Sequence, residues 1–227
     1  MAEEKIVVLP GWGHDAGSWE AFKDRFPDGK VRVLELPGFG KEPLVSGEWG
    51  VPEYAEWTAR QLAQEPAGSI ILIGHSFGGR IAAYLAKSHP AWLSRLVLYG
   101  APLLRRPSVQ VRARIALAKV LSPVFGSLAR MAAYKGEELR DAEARGMGTV
   151  FRKVVGFDQT EYLPRVNVPT FMLWGERDSE APVALAQEAA KLIPHASLAI
   201  LPGVGHNVHL ERPDLFYGQV ARFIRAT

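Results

Sequence analysis

One serine in this chain stands where a buried strand is predicted to run directly into a helix. Residues 74–78 are Gly-His-Ser-Phe-Gly, with Ser76 at the centre. The residues before them, 69–73, form an apolar, β-branched run typical of a strand covered on both faces, and residues 79–86 predict a helix. A serine at so tight a turn presents its hydroxyl at the carboxyl edge of a sheet, where a nucleophile belongs. A glycine-rich turn with an incidental serine is the alternative interpretation.

Two groups that a serine nucleophile needs follow later in the chain. Residues 169–175 predict a second buried strand, which is followed by Asp178, and residues 196–201 predict a third, which is followed by His206. The chain order is therefore serine, acid, histidine, with the acid and the base each just past the end of a strand. This order predicts Ser76 as the nucleophile, His206 as its base and Asp178 as the carboxylate that orients the imidazole.

With these residues in place, the chain resembles an α/β-hydrolase of the small serine esterase type over nearly all of its length. Residues 9–13, Leu-Pro-Gly-Trp-Gly, stand where the family has a His-Gly-x-Gly loop. Residues 35–40, Glu-Leu-Pro-Gly-Phe-Gly, resemble the family's Asp-x-Pro-Gly-x-Gly turn, and residues 205–213 resemble the tail that follows its catalytic histidine. By residues 11–13 and 36–40 the chain is similar to the pimeloyl-acyl-carrier-protein methyl ester esterases, and it resembles generic carboxylesterases almost as well.

The resemblance implies an oxyanion hole made by two backbone N–H groups. Phe77, directly after the nucleophile, and Trp12, in the loop after the first strand, are at the matching positions. Gly11 would let that loop approach the serine closely. Pro10 departs from the family pattern because it replaces the usual histidine, so the loop is expected to be braced differently.

Other acidic and histidine residues compete for the same roles. Glu176 and Glu180 flank Asp178, which is preferred because its Gly-x-x-Asp spacing matches the family. His209 is an alternative base, although its apolar neighbours indicate a helix start packed on the body. His75 is predicted to pack with its side chain away from the reacting face. His14 is predicted to be a solvated loop residue, with substrate contact as the alternative.

The order of elements predicts an α/β fold with a mostly parallel sheet of about six strands. The first apolar strand leads straight to residues 9–13, so the β-hairpin that usually opens the family's sheet is predicted to be missing. Residues 31–36 would then form an edge strand, on which Arg32 and Glu35 discourage edge-to-edge pairing.

Residues 103–168 interrupt the alternation of strands and helices and predict a helical cap inserted into the core. The core would comprise residues 1–102 and 169–227, and the cap helices are expected near residues 108–121, 124–134, 137–145 and 147–155. A cap over the serine would exclude water and shape the pocket. The residues predicted to line this pocket are Gly11, Trp12, Phe77, Phe125, Met147, Phe151 and Phe157. The alternative is that they only pack the cap onto the body.

The predicted cap is basic. Residues 103–168 hold 12 lysine and arginine residues against 6 acidic ones, a net charge of +6, whereas the whole chain carries +3. Such a surface could steer an anionic substrate, an acidic carrier protein or an anionic membrane, and a solvated helix face is the alternative. No aromatic–basic platform accompanies the charge, so nucleic acid is not predicted as a partner.

Composition bears on the chemistry, location and membrane association of the chain. The chain of 227 residues contains no cysteine, which excludes disulfides and thiolate chemistry and is compatible with a cytoplasmic location. Neither a signal-peptide pattern nor an apolar run of about 20 residues occurs, so stable membrane insertion is not expected. No metal or cofactor is predicted.

The function predicted from the sequence is a serine carboxylesterase for small to medium esters, working through an acyl-enzyme. The alternatives are the same triad acting on a carrier-protein methyl ester, a lactone, a thioester, a C–C bond or in perhydrolysis. A non-catalytic ligand receptor on the same fold is a further alternative.

Overall fold

A computed structural model describes residues 4–44, 49–105 and 137–226. Its centre is a six-stranded sheet with the order β2-β1-β3-β4-β5-β6, in which every neighbouring pair is parallel. This confirms the predicted fold class and strand number. The strands are β1 Lys5–Leu9, β2 Val31–Val33, β3 Ile70–His75, β4 Leu93–Tyr99, β5 Thr170–Gly175 and β6 Ala196–Leu201.

Helices cover both faces of this sheet. Along β3, Ile70 and Leu72 enter one hydrophobic cluster, and Ile71 and Ile73 enter the other. Because side chains alternate between the faces of a strand, burial on both sides explains why β3 is apolar throughout. The helices are α1 Glu20–Lys23, α2 Val51–Gln61, α3 Ser76–Ala86, α4 Glu137–Ala144, α5 Gly148–Gly156, α6 Val183–Leu192, α7 Val208–Glu211 and α8 Pro213–Arg225.

The edge strand β2 is shorter than predicted. It lies at the edge of the sheet as expected but ends at Val33 rather than at residue 36. The carboxylate of Glu35 accepts the backbone N–H groups of Ala16 at 3.1 Å and of Lys41 at 2.9 Å. Glu35 therefore organises two loops instead of guarding the sheet edge, because the chain leaves the strand at Val33, before it reaches Glu35.

The predicted cap is described only in its second half. Helices α4 and α5 match the predictions for residues 137–145 and 147–155. The helices predicted at 108–121 and 124–134, and the pocket candidate Phe125, lie outside the described residues. The domain boundaries at residues 102/103 and 168/169 remain a prediction.

A buried arginine ties the end of α5 to the body. Arg80 of α3 donates from Nη1 to the carbonyl oxygen of Phe157 at 2.9 Å, and its own carbonyl oxygen accepts Nε2 of Gln159 at 2.9 Å. Both Arg80 and Gln159 are buried. Since buried polar groups are costly to leave unpaired, these bonds hold residues 157–159 in one place against α3.

In the three described ranges, no helix combines the length and the apolar character that crossing a bilayer requires.

Candidate active site

Ser76 occupies a left-handed backbone conformation, with φ of +48°. Strand β3 ends at His75 and α3 begins at Ser76, so the chain reverses within one residue. A Cβ atom at Gly78 would lie 2.1 Å from the carbonyl oxygen of Leu9, and one at Gly74 would lie 2.6 Å from the carbonyl oxygen of Gly78. The glycines on either side therefore make this turn sterically possible, and Ser76 itself carries a strain of about 1 kcal/mol.

The loop after β1 lies directly against this turn. A Cβ atom at Gly11 would be 2.7 Å from Nδ1 of His75 and 3.3 Å from Cβ of Ser76. The N–H of Gly78 donates to the carbonyl oxygen of Pro10 at 3.0 Å. A carbonyl is available from any residue, so proline at position 10 still allows the loop to be braced. Gly11 thus brings the backbone at residue 12 close to the serine.

His206 and Asp178 form a hydrogen-bonded pair. Nδ1–H of His206 donates to Oδ2 of Asp178 at 2.8 Å, and the side chain of Asp178 is completely buried. The other oxygen, Oδ1, accepts the backbone N–H groups of Glu180 at 2.9 Å and Ala181 at 2.7 Å. An ionised carboxylate only accepts hydrogen bonds, so the neutral ring carries its proton on Nδ1 and its lone pair on Nε2.

Gly100, directly after β4, allows this pair to lie close to the strand. Gly100 follows β4 with φ of +54°, and a Cβ atom there would lie 3.1 Å from Cε1 of His206 and 3.4 Å from Oδ2 of Asp178. A side chain at position 100 would press on both groups. The requirement for glycine is steric as well as conformational.

The two neighbouring glutamates have other partners. Glu176 accepts the backbone N–H of Gly203 at 2.8 Å and so braces the turn after β6. Glu180 places Oε2 at 3.3 Å from Nε2 of His206, on the opposite side of the ring from Asp178. Its side chain is 47% exposed. The acid on Nδ1 is therefore Asp178, and neither glutamate takes that place.

Several of the predicted site residues line one small cavity of about 50 Å³. The cavity brings Ser76 and His206 together at the carboxyl ends of the parallel strands, where ligands bind in open α/β sheets. His14 lines it too, so this residue is part of the site rather than only a solvated loop residue. The lining residues are Gly11, Trp12, His14, His75, Ser76, Glu180, His206 and Asn207.

An aromatic wall adjoins this cavity and joins α5 to the body. The ring of Trp12 lies 4.9 Å from Phe151 and 5.4 Å from Phe77, measured between centroids. Phe39 lies 4.9 Å from Trp12 and was missed as a wall residue, although it stands in the Pro-Gly-Phe-Gly turn. Met147 is buried and packs against the same turn, since a Cβ atom at Gly38 would lie 2.7 Å from its Cε.

Phe157 is placed apart from this wall. Its ring stacks on Tyr162 with centroids 5.9 Å apart and meets Tyr84 edge-on at 5.3 Å. It lines a groove between the start of α2 and α5. Phe157 therefore packs α5 against the body, which is the alternative role considered for it.

A cluster of neutral histidines extends from the cavity into the body. His75 lines the cavity, although its side chain was predicted to pack away from the reacting face, because β3 ends directly beneath Ser76. The ring of His75 is fully buried and stacks on Tyr99 at 4.2 Å, and the ring of His209 stacks on Trp19 at 4.3 Å. Burial, followed by the charges of neighbouring histidines, lowers the pKa of His75 well below its usual value and lowers the pKa of His209 to about 3. Within the described ranges, no group of three or more histidine, cysteine, aspartate or glutamate side chains is placed to hold a metal ion.

His209 is consequently a poor base. Burial raises the pKa of Tyr99 well above its usual value, so its hydroxyl stays protonated and donates to Nδ1 of His209. His209 is buried, and it is not among the residues that line the cavity. It packs at the start of α7, as the sequence predicted.

Acid should destabilise the fold through His209. The unfolded residue binds a proton below its ordinary pKa of 6.5, whereas the folded residue stays neutral down to about 3. Above about pH 6.5, His209 is neutral in both states and does not lower the free energy of unfolding. As the pH falls from 6.5 towards 3, only the unfolded residue takes up a proton, and the free energy of unfolding decreases by about 1.4 kcal/mol per pH unit. In urea unfolding at pH 7.5 and 5.0, His209→Gln should reduce the difference between the two free energies of unfolding by about 2 kcal/mol.

His195→Gln, at an exposed position, is the control and should retain the pH dependence of the unsubstituted protein. An undiminished pH dependence in His209→Gln would contradict the prediction.

Comparison of the sequence with models of known protein families identifies the family of this chain. The family described as alpha/beta hydrolase matches residues 6–219. This chain belongs to the alpha/beta hydrolase family. The resemblance inferred from the motifs is therefore confirmed.

Named relatives of this alpha/beta hydrolase differ in activity. It is 27% identical to a protein of Bacillus subtilis (strain 168) provisionally named 2-succinyl-6-hydroxy-2,4-cyclohexadiene-1-carboxylate synthase, over 98% of this chain and 91% of the relative. It is 23% identical to the pimeloyl-[acyl-carrier protein] methyl ester esterase of Vibrio vulnificus (strain YJ016), over 96% of this chain and 93% of the relative.

Solved structures agree on the fold. The alpha/beta hydrolase MGS-M2, from a Medee basin deep-sea metagenome library, has a TM-score of 0.76 to this chain at 22% identity, over 99% of this chain and 90% of that one. At this identity the likeness concerns the fold alone. The substrate has to be inferred from the site.

Proposed function

We propose that this alpha/beta hydrolase is a serine carboxylesterase that cleaves small to medium esters through an acyl-enzyme. The observation that carries the proposal is the buried pair of Asp178 and His206, which meets a conformationally strained Ser76 at one cavity. A nucleophile, a base and an orienting carboxylate are the groups that acyl transfer requires.

In the first half-reaction, Oγ of Ser76 attacks the ester carbonyl while Nε2 of His206 takes the hydroxyl proton. The negative oxygen of the tetrahedral intermediate is stabilised by the backbone N–H groups of Phe77 and Trp12. Phe77 is in the first turn of α3, where N–H groups have no acceptor within the helix. His206 then gives its proton to the leaving alcohol, and the acyl group stays on Ser76.

In the second half-reaction, His206 takes a proton from water as the water attacks the acyl carbon. It then gives that proton to Oγ of Ser76 as the Oγ–acyl bond breaks, which releases the acid and restores the free serine. Asp178 keeps the Nδ1 proton in place throughout and stabilises the imidazolium that forms in each half. The aromatic wall of Trp12, Phe39, Phe77 and Phe151 supplies an apolar surface for the acyl chain.

The decisive test is hydrolysis of p-nitrophenyl esters from acetyl to palmitoyl. Turnover with one preferred chain length supports the esterase and measures its acyl pocket. A folded protein that turns over none of these esters, nor any carrier-linked methyl ester, overturns the proposal. The reaction named for the Bacillus relative, and then binding without turnover, would be examined next.

A methyl ester carried by an acidic acyl carrier protein is the second candidate substrate. It is supported by the name of the Vibrio relative and by the net charge of +6 on residues 103–168. If charge steers the carrier to the site, its kcat/KM should fall between 50 and 500 mM salt, whereas that of a small neutral ester should change little. Equal salt dependence for both substrates counts against a carrier.

A further inference from the structure

We propose that Glu180 is a positioning residue for this hydrolysis, because its carboxylate pairs with the same nitrogen of His206 that must take the proton of Ser76. The inference rests on the proposed function. His206 can act as a base only after Glu180 has left Nε2. Glu180 thereby sets the pH at which the site becomes active.

The ring of His206 lies between two carboxylates. Nδ1 is 2.8 Å from Oδ2 of Asp178, and Nε2 is 3.3 Å from Oε2 of Glu180. A neutral imidazole has one N–H, and Asp178 holds it. Nε2 can donate to Glu180 only when the ring is protonated. The second carboxylate therefore favours the imidazolium, the form that cannot take a proton from serine.

Glu180 is anchored by its backbone, and its carboxylate is partly exposed. Its N–H donates to Oδ1 of Asp178 at 2.9 Å, so the residue is held next to the acid of the pair. The side chain is 47% exposed, which lets the carboxylate move into solvent at small cost when a substrate enters. Among the described residues that line the cavity, Glu180 is the acidic one, and none of them is lysine or arginine.

Other titratable groups around His206 are neutral or engaged elsewhere. The ring of His75, at the end of β3, lies 5.1 Å from that of His206, and His14 and His209 interact with His206 electrostatically; burial lowers the pKa of all three, so they stay uncharged while His206 titrates. Tyr99 is uncharged. Glu211 is engaged by the backbone N–H groups of Gly205 and Asn207. Asp178 and Glu180 therefore both favour the imidazolium, and removing Glu180 should shift the balance towards the neutral ring.

The test compares the pH dependence of kcat/KM in the unsubstituted protein, Glu180→Gln and Glu180→Ala. Both variants should move the acid limb to lower pH by about half a unit, the size expected for a partly exposed ion pair. Turnover at pH 5.5 should rise about three-fold, with little change at pH 8.5. Glu176→Gln is the matched control in the same loop, because its amide oxygen can still accept the N–H of Gly203, and its acid limb should not move.

A second readout does not need an ester to be turned over. The titration midpoint of the His206 imidazole, followed by ¹H–¹³C NMR, should fall by the same half unit in both Glu180 variants. An unchanged midpoint overturns the role of Glu180. A lower midpoint without any ester turnover retains that role and refutes the esterase instead, so the two failures are distinguishable.

Discussion

Replacing Ser76 with alanine should lower kcat/KM for p-nitrophenyl esters by at least about 10⁴-fold. Without Oγ no acyl-enzyme can form, and His206 has no hydroxyl proton to take. The residual rate would come from substrate binding and from backbone donors at Trp12 and Phe77. Alanine removes one oxygen atom and keeps the Cβ atom, so the left-handed turn at φ of +48° is strained to the same degree.

Ser88→Ala provides the matched control for this substitution. Ser88 follows α3 and donates to the carbonyl oxygen of Leu85 at 2.7 Å, away from the cavity. It should keep full activity. Labelling with a fluorophosphonate probe, read by intact-protein mass, should fail only in Ser76→Ala. Turnover in Ser76→Ala close to that of the unsubstituted protein would remove Ser76 from the mechanism.

Replacing Asp178 with asparagine should lower kcat by about 10⁴-fold with little effect on the fold. The Oδ2 atom accepts Nδ1–H of His206 at 2.8 Å, and an amide nitrogen there would instead donate and favour the other tautomer of the ring. The ring would then carry its proton on Nε2 and could not accept one from serine. The amide oxygen can still accept the N–H groups of Glu180 and Ala181, so the loop should persist.

Variants of the two neighbouring glutamates are the controls for this substitution. Glu176→Gln should leave kcat unchanged, and Glu180→Gln should change the pH profile without a loss of this size. Steady-state kinetics at pH 8 would measure all three variants together. If Asp178→Asn stayed within ten-fold of the unsubstituted protein while Glu180→Gln lost activity, the orienting carboxylate would be Glu180.

The strand–turn–helix around Ser76 could be predicted because its causes are local. An apolar run, two glycines and a helix-forming run lie within 18 residues of one another, and each has a direct steric or burial consequence. The order of Ser76, Asp178 and His206 along the chain, each at or just past the end of a strand, also predicted that they meet. Parallel strands place their carboxyl ends at one edge, so residues just past three strands lie close together.

Other features depend on side chains that meet from distant parts of the chain. Phe39 joins the aromatic wall because the turn after residue 36 folds over Trp12. His75 and His209 are 134 positions apart, yet their rings lie 5.0 Å from each other. Glu35 was expected to guard an edge and instead braces two loops. None of these contacts has a signature in the spacing of residues.

The sequence by itself determined the fold class, the number and direction of the strands, and which serine, acid and histidine follow strand ends, because hydrophobic periodicity and glycine placement act over a few residues. Only the tertiary structure decided which carboxylate reaches which nitrogen of His206. Three acidic residues stand within five positions of one loop, and the orientation of each side chain depends on partners elsewhere in the fold. Hydrogen bonds depend on direction as well as proximity, and direction is set once the packing is complete.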